Sequence, residues 1–168
     1  MNKKIINIHS YQNLIRNKNL KDKKVILCHG AFDLVHLGHL KHFETAKKLG
    51  DVLIVSVTAD KFIYKGPGRP KFNQMQRMEF LSKLEMIDYV VLSKSISAVP
   101  IINEIKPDIY CKGPDYKKHK DDITGNIYKE KLAVEKFGGK IKYTSDETFS
   151  SSNILNNKEI GENDPIKH

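Results

Sequence analysis

Two histidines three positions apart, with a glycine between them, stand in the run Gly30-Ala31-Phe32-Asp33-Leu34-Val35-His36-Leu37-Gly38-His39. The pair falls where an apolar stretch, Val25 to Cys28, gives way to helical spacing from about Leu37. At the exit of a parallel strand, the first turn of the next helix offers unpaired amide N–H groups and the positive end of the helix dipole. Backbone alone can hold an anion there. Gly38 lets that backbone approach a ligand, and the imidazoles of His36 and His39 add N–H donors, protonated or neutral, that can face charge building on a phosphorus under attack. A metal site is the weaker alternative, because no Cys or carboxylate cluster at ligand spacing accompanies the two histidines.

Three further segments carry matching chemistry. Lys65-Gly66-Pro67-Gly68-Arg69-Pro70 precedes a helix holding Gln76-Arg77. A loop with two glycines, two prolines and two cations suits closure over phosphates, with Lys65 as a mobile point charge and Arg77 held on a helix. Only three of the 29 basic residues are arginine, and Arg69 and Arg77 are two of them. In a chain that otherwise uses lysine, this points to planar, bidentate contact with phosphate. Lys112-Gly113-Pro114-Asp115-Tyr116 follows another apolar run, and Asp115 is placed to accept from a base amine or a ribose hydroxyl, unless it merely forms the turn. Ser150-Ser151-Ser152 opens a last helical pattern near Ser151 to Asn156 and repeats the helix-terminus anion logic.

These pieces need a scaffold that brings strand exits together. A helix over about Ser10 to Arg16 is followed by strands over Val25–Cys28, Val52–Val57, Tyr89–Leu92, Ile109–Lys112 and Lys140–Tyr143. Between them run helical patterns over 37–49, closed by Gly50 as a C-cap, then Asn73 (as the cap) to about Glu85, Val99–Ile105 and Asn126–Phe137. The near-continuous apolar character of Val52–Val57 implies burial on both faces. Strand and helix alternating five times predicts an α/β fold: a Rossmann-like, doubly wound, five-stranded parallel sheet with helices on both faces and its ligand beyond the strands' carboxyl ends.

A chain of 168 residues amounts to about one domain. No stretch is long and apolar enough to span a bilayer, and the start lacks the apolar core of a signal peptide, so the expected setting is cytoplasmic, with no membrane partner. Cys28 and Cys111 lack C-x-x-C partners and read as buried thiols. The net charge of +9 is spread along the chain without aromatic interleaving, which speaks against nucleic acid as a partner while still favouring polyphosphate.

In order and spacing, Gly30 to His39, the Lys65 loop with Gln76-Arg77, the Lys112 to Tyr116 turn and the Ser151-Ser152-Asn153-Ile154 helix start resemble the cytidylyltransferase-like nucleotidyltransferases. Within that group the resemblance is greatest to the adenylyltransferases of ADP-heptose synthesis (D-glycero-beta-D-manno-heptose 1-phosphate adenylyltransferase), and second to glycerol-3-phosphate cytidylyltransferases. It covers about residues 5 to 155. It implies a usually dimeric domain; with the leading helical segment at 1–24 the domain is expected over 1–157, and the absence of periodicity after Asn157 makes 158–168 a flexible tail or linker. Such a domain joins a nucleoside triphosphate, ATP favoured over CTP, to a sugar or polyol phosphate and releases pyrophosphate with Mg²⁺, making an activated precursor for surface glycans. By motif position, His36, His39, Lys65 and Arg77 would be catalytic. Gly30, Ala31, Phe32, Gly38, Lys112, Gly113, Asp115, Ser150, Ser151 and Ser152 would bind the nucleotide, and Asp33, Arg69 and Tyr116 would lie toward the substrate, with Asp33 structural or near the metal. The heptose enzymes have Gly-Gly-Asp-Tyr where this chain has Gly113-Pro114-Asp115-Tyr116, and the following 117–126 segment is longer here. A non-catalytic nucleotide sensor is the rival class, but it would have no need for both histidines, Lys65 and Arg77 together.

Overall fold

The computed structural model describes residues 2–17, 20–113 and 126–144. The elements in chain order are α1 (Ile8–Asn17), β1 (Val25–Gly30), α2 (Leu37–Lys48), β2 (Val52–Thr58), α3 (Gln74–Ser82), β3 (Tyr89–Ser93), α4 (Val99–Ile105), β4 (Ile109–Lys112), α5 (Asn126–Lys136) and β5 (Lys140–Tyr143). All strand pairs are parallel, in the order β3-β2-β1-β4-β5. The expected last helix and tail lie outside the described residues.

Side-chain alternation along the strands sorts the interior into two layers. Leu27, Ile54, Val91 and Tyr110 face one side, where Tyr11 of α1, Ile102 of α4 and Val134 of α5 cover them. Ile26, Cys28, Leu53, Val55, Val90, Ile109 and Cys111 face the other, under Phe43 and Ala46 of α2 and Met78 and Leu81 of α3. Every residue of β2 is buried, as its unbroken apolar run requires of a central strand covered on both faces. The strand order reverses between β1 and β4, so the crevice at their carboxyl ends is the switch point where such sheets take ligands.

Several boundaries differ from the sequence reading, each for a local reason. β1 runs two residues past the apolar stretch because His29 and Gly30 continue the ladder opposite Ser56 and Val57. The leading segment adds a short parallel bridge before its helix, in which the Val90 amide donates to the Lys4 carbonyl (2.9 Å) and the Ile6 amide to the Val90 carbonyl (3.0 Å), covering the β3 edge. Gly50 is not the left-handed C-cap expected of it. The cap is Leu49 in a right-handed conformation, its amide bonded to the Ala46 carbonyl. Gly50 is instead a point of close approach, since a Cβ there would lie 2.7 Å from Ile26 Cδ1 and 2.8 Å from the Lys24 carbonyl oxygen. Among the described residues no helix is long and apolar enough to cross a membrane.

Because one of the atoms facing Gly50 is main chain, Gly50→Ala is expected to destabilise the fold by about 1–3 kcal/mol through overpacking. Urea unfolding followed by circular dichroism reads this as a lower midpoint at unchanged slope. An unchanged midpoint would contradict the close approach.

Candidate active site

The turn from β1 into α2 is built around Phe32, whose φ of 52° places a bulky residue in the left-handed region. Its ring sits against Phe43, with centroids 5.2 Å apart, and edge-on to His39 at 5.7 Å. Gly30 makes room for it, because a Cβ at that position would come within 3.0 Å of the Phe32 ring.

His36 is itself the N-cap of α2, with extended backbone (φ −130°, ψ −178°). The Gly38 amide donates to His36 Nδ1 at 3.1 Å, and the His36 amide donates to His39 Nδ1 at 3.1 Å. The rings lie with centroids 4.0 Å apart. The two imidazoles thus take up the Gly38 and His36 amides, so those two N–H groups are not the ones left for an anion. In exchange the arrangement sets the tautomer: a ring whose Nδ1 accepts carries its proton on Nε2 when neutral. Burial lowers the His36 pKa. Burial, reinforced by His36, His42 and Lys65, lowers that of His39 to about 4. Both are therefore neutral donors near pH 7.

Two buried charges fasten the loop after β2 to this turn. Asp33, only 5% exposed, accepts from the amides of Lys71 (2.8 Å) and Phe72 (2.9 Å) and from Arg69 Nε (2.8 Å). Burial alone would raise its pKa, but those donors outweigh it and hold the carboxyl below its ordinary value. Arg77 donates Nε to the Phe72 carbonyl (3.0 Å), Nη1 to the carbonyls of Ala31 (2.6 Å) and Thr58 (2.9 Å), and Nη2 to Asp60 Oδ1 (2.6 Å). Its side chain is 1% exposed. Arg77 is not placed for the bidentate phosphate contact that arginine scarcity suggested, because four of its N–H groups hold protein acceptors, while Arg69 pairs through Nε with Asp33 and keeps its side chain 30% exposed. Lys65 stays with the histidines and adds to the field that keeps His39 neutral.

A cleft of about 420 Å³ opens over the exits of β1, β2 and β4, lined in part by His29, Gly30, Ala31, Lys65, Lys112 and Glu130. Its floor is polar. Lys112 Nζ lies 3.3 Å from Glu130 Oε2 and donates to the Tyr110 hydroxyl (3.2 Å), which in turn donates to Glu130 (3.1 Å). The other Glu130 oxygen accepts from the Ala98 amide. His29 Nδ1 is 2.7 Å from Ser56 Oγ, and burial, then Lys112, lowers its pKa to about 3. A second cavity of about 360 Å³, lined by Phe32, Asp33, Leu34, Val35, Phe72 and Phe80 among others, lies beside the loop. The structure thus gathers Gly30, Ala31, Phe32, Asp33, His36, Gly38, His39, Lys65, Arg69, Arg77, Lys112 and Gly113 at the strand exits. Asp115, Tyr116, Ser150, Ser151 and Ser152 lie outside the described residues.

Residues 27–157 match the family model described as Cytidylyltransferase-like. The chain belongs to the cytidylyltransferase-like family. Curated relatives of this cytidylyltransferase-like chain include the bifunctional protein HldE of Campylobacter jejuni subsp. doylei, 41% identical over 112 residues covering 66% of this chain and 24% of the relative. The bifunctional protein HldE of Geobacter metallireducens is 32% identical over 155 residues, 90% of this chain and 30% of the relative. The chain thus spans about a quarter to a third of the length of these relatives. Among solved structures, the lipopolysaccharide core biosynthesis protein from Thermoplasma volcanium aligns with a TM-score of 0.58 at 26% identity, over 76% of this chain and 99% of that one. The pantoate-beta-alanine ligase of Francisella tularensis shares the fold, with a TM-score of 0.54 at 16% identity, over 90% of this chain and 75% of that one.

Sequence reasoning passed over His29, Asp60 and Glu130. Glu130 left a signal: it occupies the buried face of α5 with Ile127, Ala133 and Val134, where an unpaired carboxylate is not tolerated. His29 and Asp60 left none, because their roles depend on neighbours distant in sequence.

His29 and His39 are neutral when folded and ordinary when unfolded, so the unfolded chain binds more protons between about pH 6.5 and their lowered values. Stability is therefore full above about pH 6.5 and falls on acidification toward pH 4, by about 1.4 kcal/mol per pH unit for each such histidine. Urea titrations at pH 7.5, 6, 5 and 4.5 measure this, with His29→Gln expected to flatten the slope. A flat wild-type profile would show these rings to be freely protonated.

Proposed function

We propose that this cytidylyltransferase-like chain catalyses nucleotidyl transfer from ATP to the phosphate of a phosphorylated sugar or polyol. An oxygen of the acceptor phosphate attacks the α-phosphorus, the bond from that phosphorus to the bridging oxygen of pyrophosphate breaks, and pyrophosphate leaves. The attacking oxygen is already ionised near neutral pH, so the protein needs no general base, and its task is alignment and charge stabilisation.

The observation that carries the reading is the interlocked His36–His39 cap. Two neutral rings with fixed tautomers present Nε2–H donors at the N-terminus of α2, where charge grows on the α-phosphoryl oxygens. Lys65, in the loop across the cleft, serves the β and γ phosphates as a mobile cation. Arg77 acts one step back, as a positioning residue, holding the exits of β1 and β2 and the start of α3 together. Mg²⁺ belongs to this reading as the companion of the triphosphate, whose oxygens supply its ligands and whose charge it offsets. Asp33 is committed to loop amides and Arg69, and Asp60 pairs with Arg77, so no protein ligand is assigned to that ion. The similarity to proteins named HldE supports a heptose-type acceptor and, with it, ATP as the donor.

Pyrophosphate release with Mg²⁺ and each of ATP, CTP, GTP and UTP against a panel of sugar and polyol phosphates tests the assignment, with ATP and a heptose-type 1-phosphate expected to respond. Signal with CTP and glycerol 3-phosphate would replace the donor and acceptor named here. Silence with tight nucleotide binding would favour a sensor. His39→Ala is expected to leave nucleotide Kd within about tenfold while lowering kcat by about a hundredfold or more, the pattern of a transition-state contact. Full activity in that variant would remove the histidine pair from the mechanism.

A further inference from the structure

The histidine pair is not the end of the chemistry carried by α2. One turn beyond His39, His42 reaches down toward the sheet, where Cys28 of β1 and Cys111 of β4 lie side by side. The register that pairs Leu27 with Tyr110 brings the next residue of each strand, Cys28 and Cys111, together, and both thiols are fully buried. A ring nitrogen of His42 and the two sulfurs all lie within 4.8 Å of one another. Among the described residues this is the one cluster of three such groups. The Thr144 hydroxyl, beyond the end of β5, is 3.1 Å from His42 Nδ1 and steadies the ring, as outer partners do for metal-binding imidazoles.

We propose that Cys28, His42 and Cys111 form a binding site for one Zn²⁺ ion, separate from the triphosphate's Mg²⁺.

Two thiolates and an imidazole are the soft donor set that selects Zn²⁺ over Mg²⁺ or Ca²⁺. Bonds of about 2.3 Å to sulfur and about 2.0 Å to nitrogen set tetrahedral ligands roughly 3.5–3.8 Å apart, so the trio closes on the ion with shifts of about 1 Å. Three protein ligands leave a fourth position for water. Binding forms two Zn–S bonds and one Zn–N bond and releases two thiol protons to solvent. Nothing is oxidised or reduced. Two thiolates cancel the ion's charge, so the filled site is electrically neutral, which suits an interior position. Spacing along the sequence could not reveal it, because the three ligands come from a strand, a helix and a second strand. Its consequence is mechanical: the ion would join α2 to β1 and β4, the two strands that border the switch point, one helical turn below His39.

Co²⁺ titration of the full chain, reduced and stripped with chelator, is the decisive measurement. One equivalent of Co²⁺ is expected to give a thiolate-to-cobalt charge-transfer band in the near ultraviolet with intense tetrahedral d–d bands, bleached stoichiometrically by Zn²⁺. Zn²⁺ at about a hundred times its Kd is expected to raise Tm by roughly 5–11 °C. Cys111→Ser should abolish the charge-transfer band. His42→Gln, a change at a partly exposed position, should weaken Co²⁺ binding at least about tenfold while the fold persists, which keeps the test meaningful if the cysteine variant fails to fold. No charge-transfer band in the wild type would overturn the proposal, as would equal Co²⁺ affinity in His42→Gln. A Cys28–Cys111 disulfide in the air-exposed chain, with no band in the reduced one, would overturn it in favour of a thiol pair that serves redox chemistry.

Discussion

The mouth of the sheet is held together by two buried charges of opposite sign whose main partners are backbone groups. The stretch between β2 and α3 is rich in glycine and proline and cannot satisfy its own amides and carbonyls in regular structure, yet part of it must lie against the strand exits. Asp33 answers the amides of Lys71 and Phe72, and Arg77 answers the carbonyls of Ala31, Thr58 and Phe72. Each charge keeps one ionic partner, Arg69 or Asp60, so neither is left uncompensated. The β1–α2 turn, the 69–72 end of the loop and the start of α3 are therefore tied together, and the histidine pair inherits its placement from them.

The cleft follows the same logic on the other side of β1. Lys112, Tyr110 and Glu130 satisfy one another across β4 and α5, and Glu130 also caps the Ala98 amide before α4. These groups form a polar floor that is ionic in its parts and nearly neutral as a whole.

The layered architecture was legible because burial on two faces leaves a plain trace. β2 has no polar interruption apart from Ser56, β3 and β4 begin at the residues their apolar runs indicate, and the amphipathic spacing of α2 and α4 marks the faces they bury. Asn73 was legible as a cap, and the structure places it there, exchanging hydrogen bonds with Gln76. The cap of α2 was harder to foresee, since capping is ordinarily done by Ser, Thr, Asp or Asn and a histidine gives no warning of it. Gly50 misled for a related reason: a glycine after a helix fits either a left-handed cap or a tight approach, and only the position of Ile26 and the Lys24 carbonyl separates the two. Arg77 shows the deeper limit. Composition marked it as unusual and the motif placed it near phosphates, but three of its four acceptors are main-chain carbonyls, which every sequence contains and none advertises.

The fixed tautomers of His36 and His39 carry a consequence for turnover. A pair of uncharged dipoles has little long-range attraction for an anion, so it holds a polyphosphate at rest far less tightly than two cations would, while still responding strongly to the short-range growth of charge at one oxygen. Release of a departing, highly charged product is commonly the slow event in enzymes that grip phosphate. On the reading proposed above, donors kept uncharged by burial would release the product readily and leave the grip to Lys65 of the cleft.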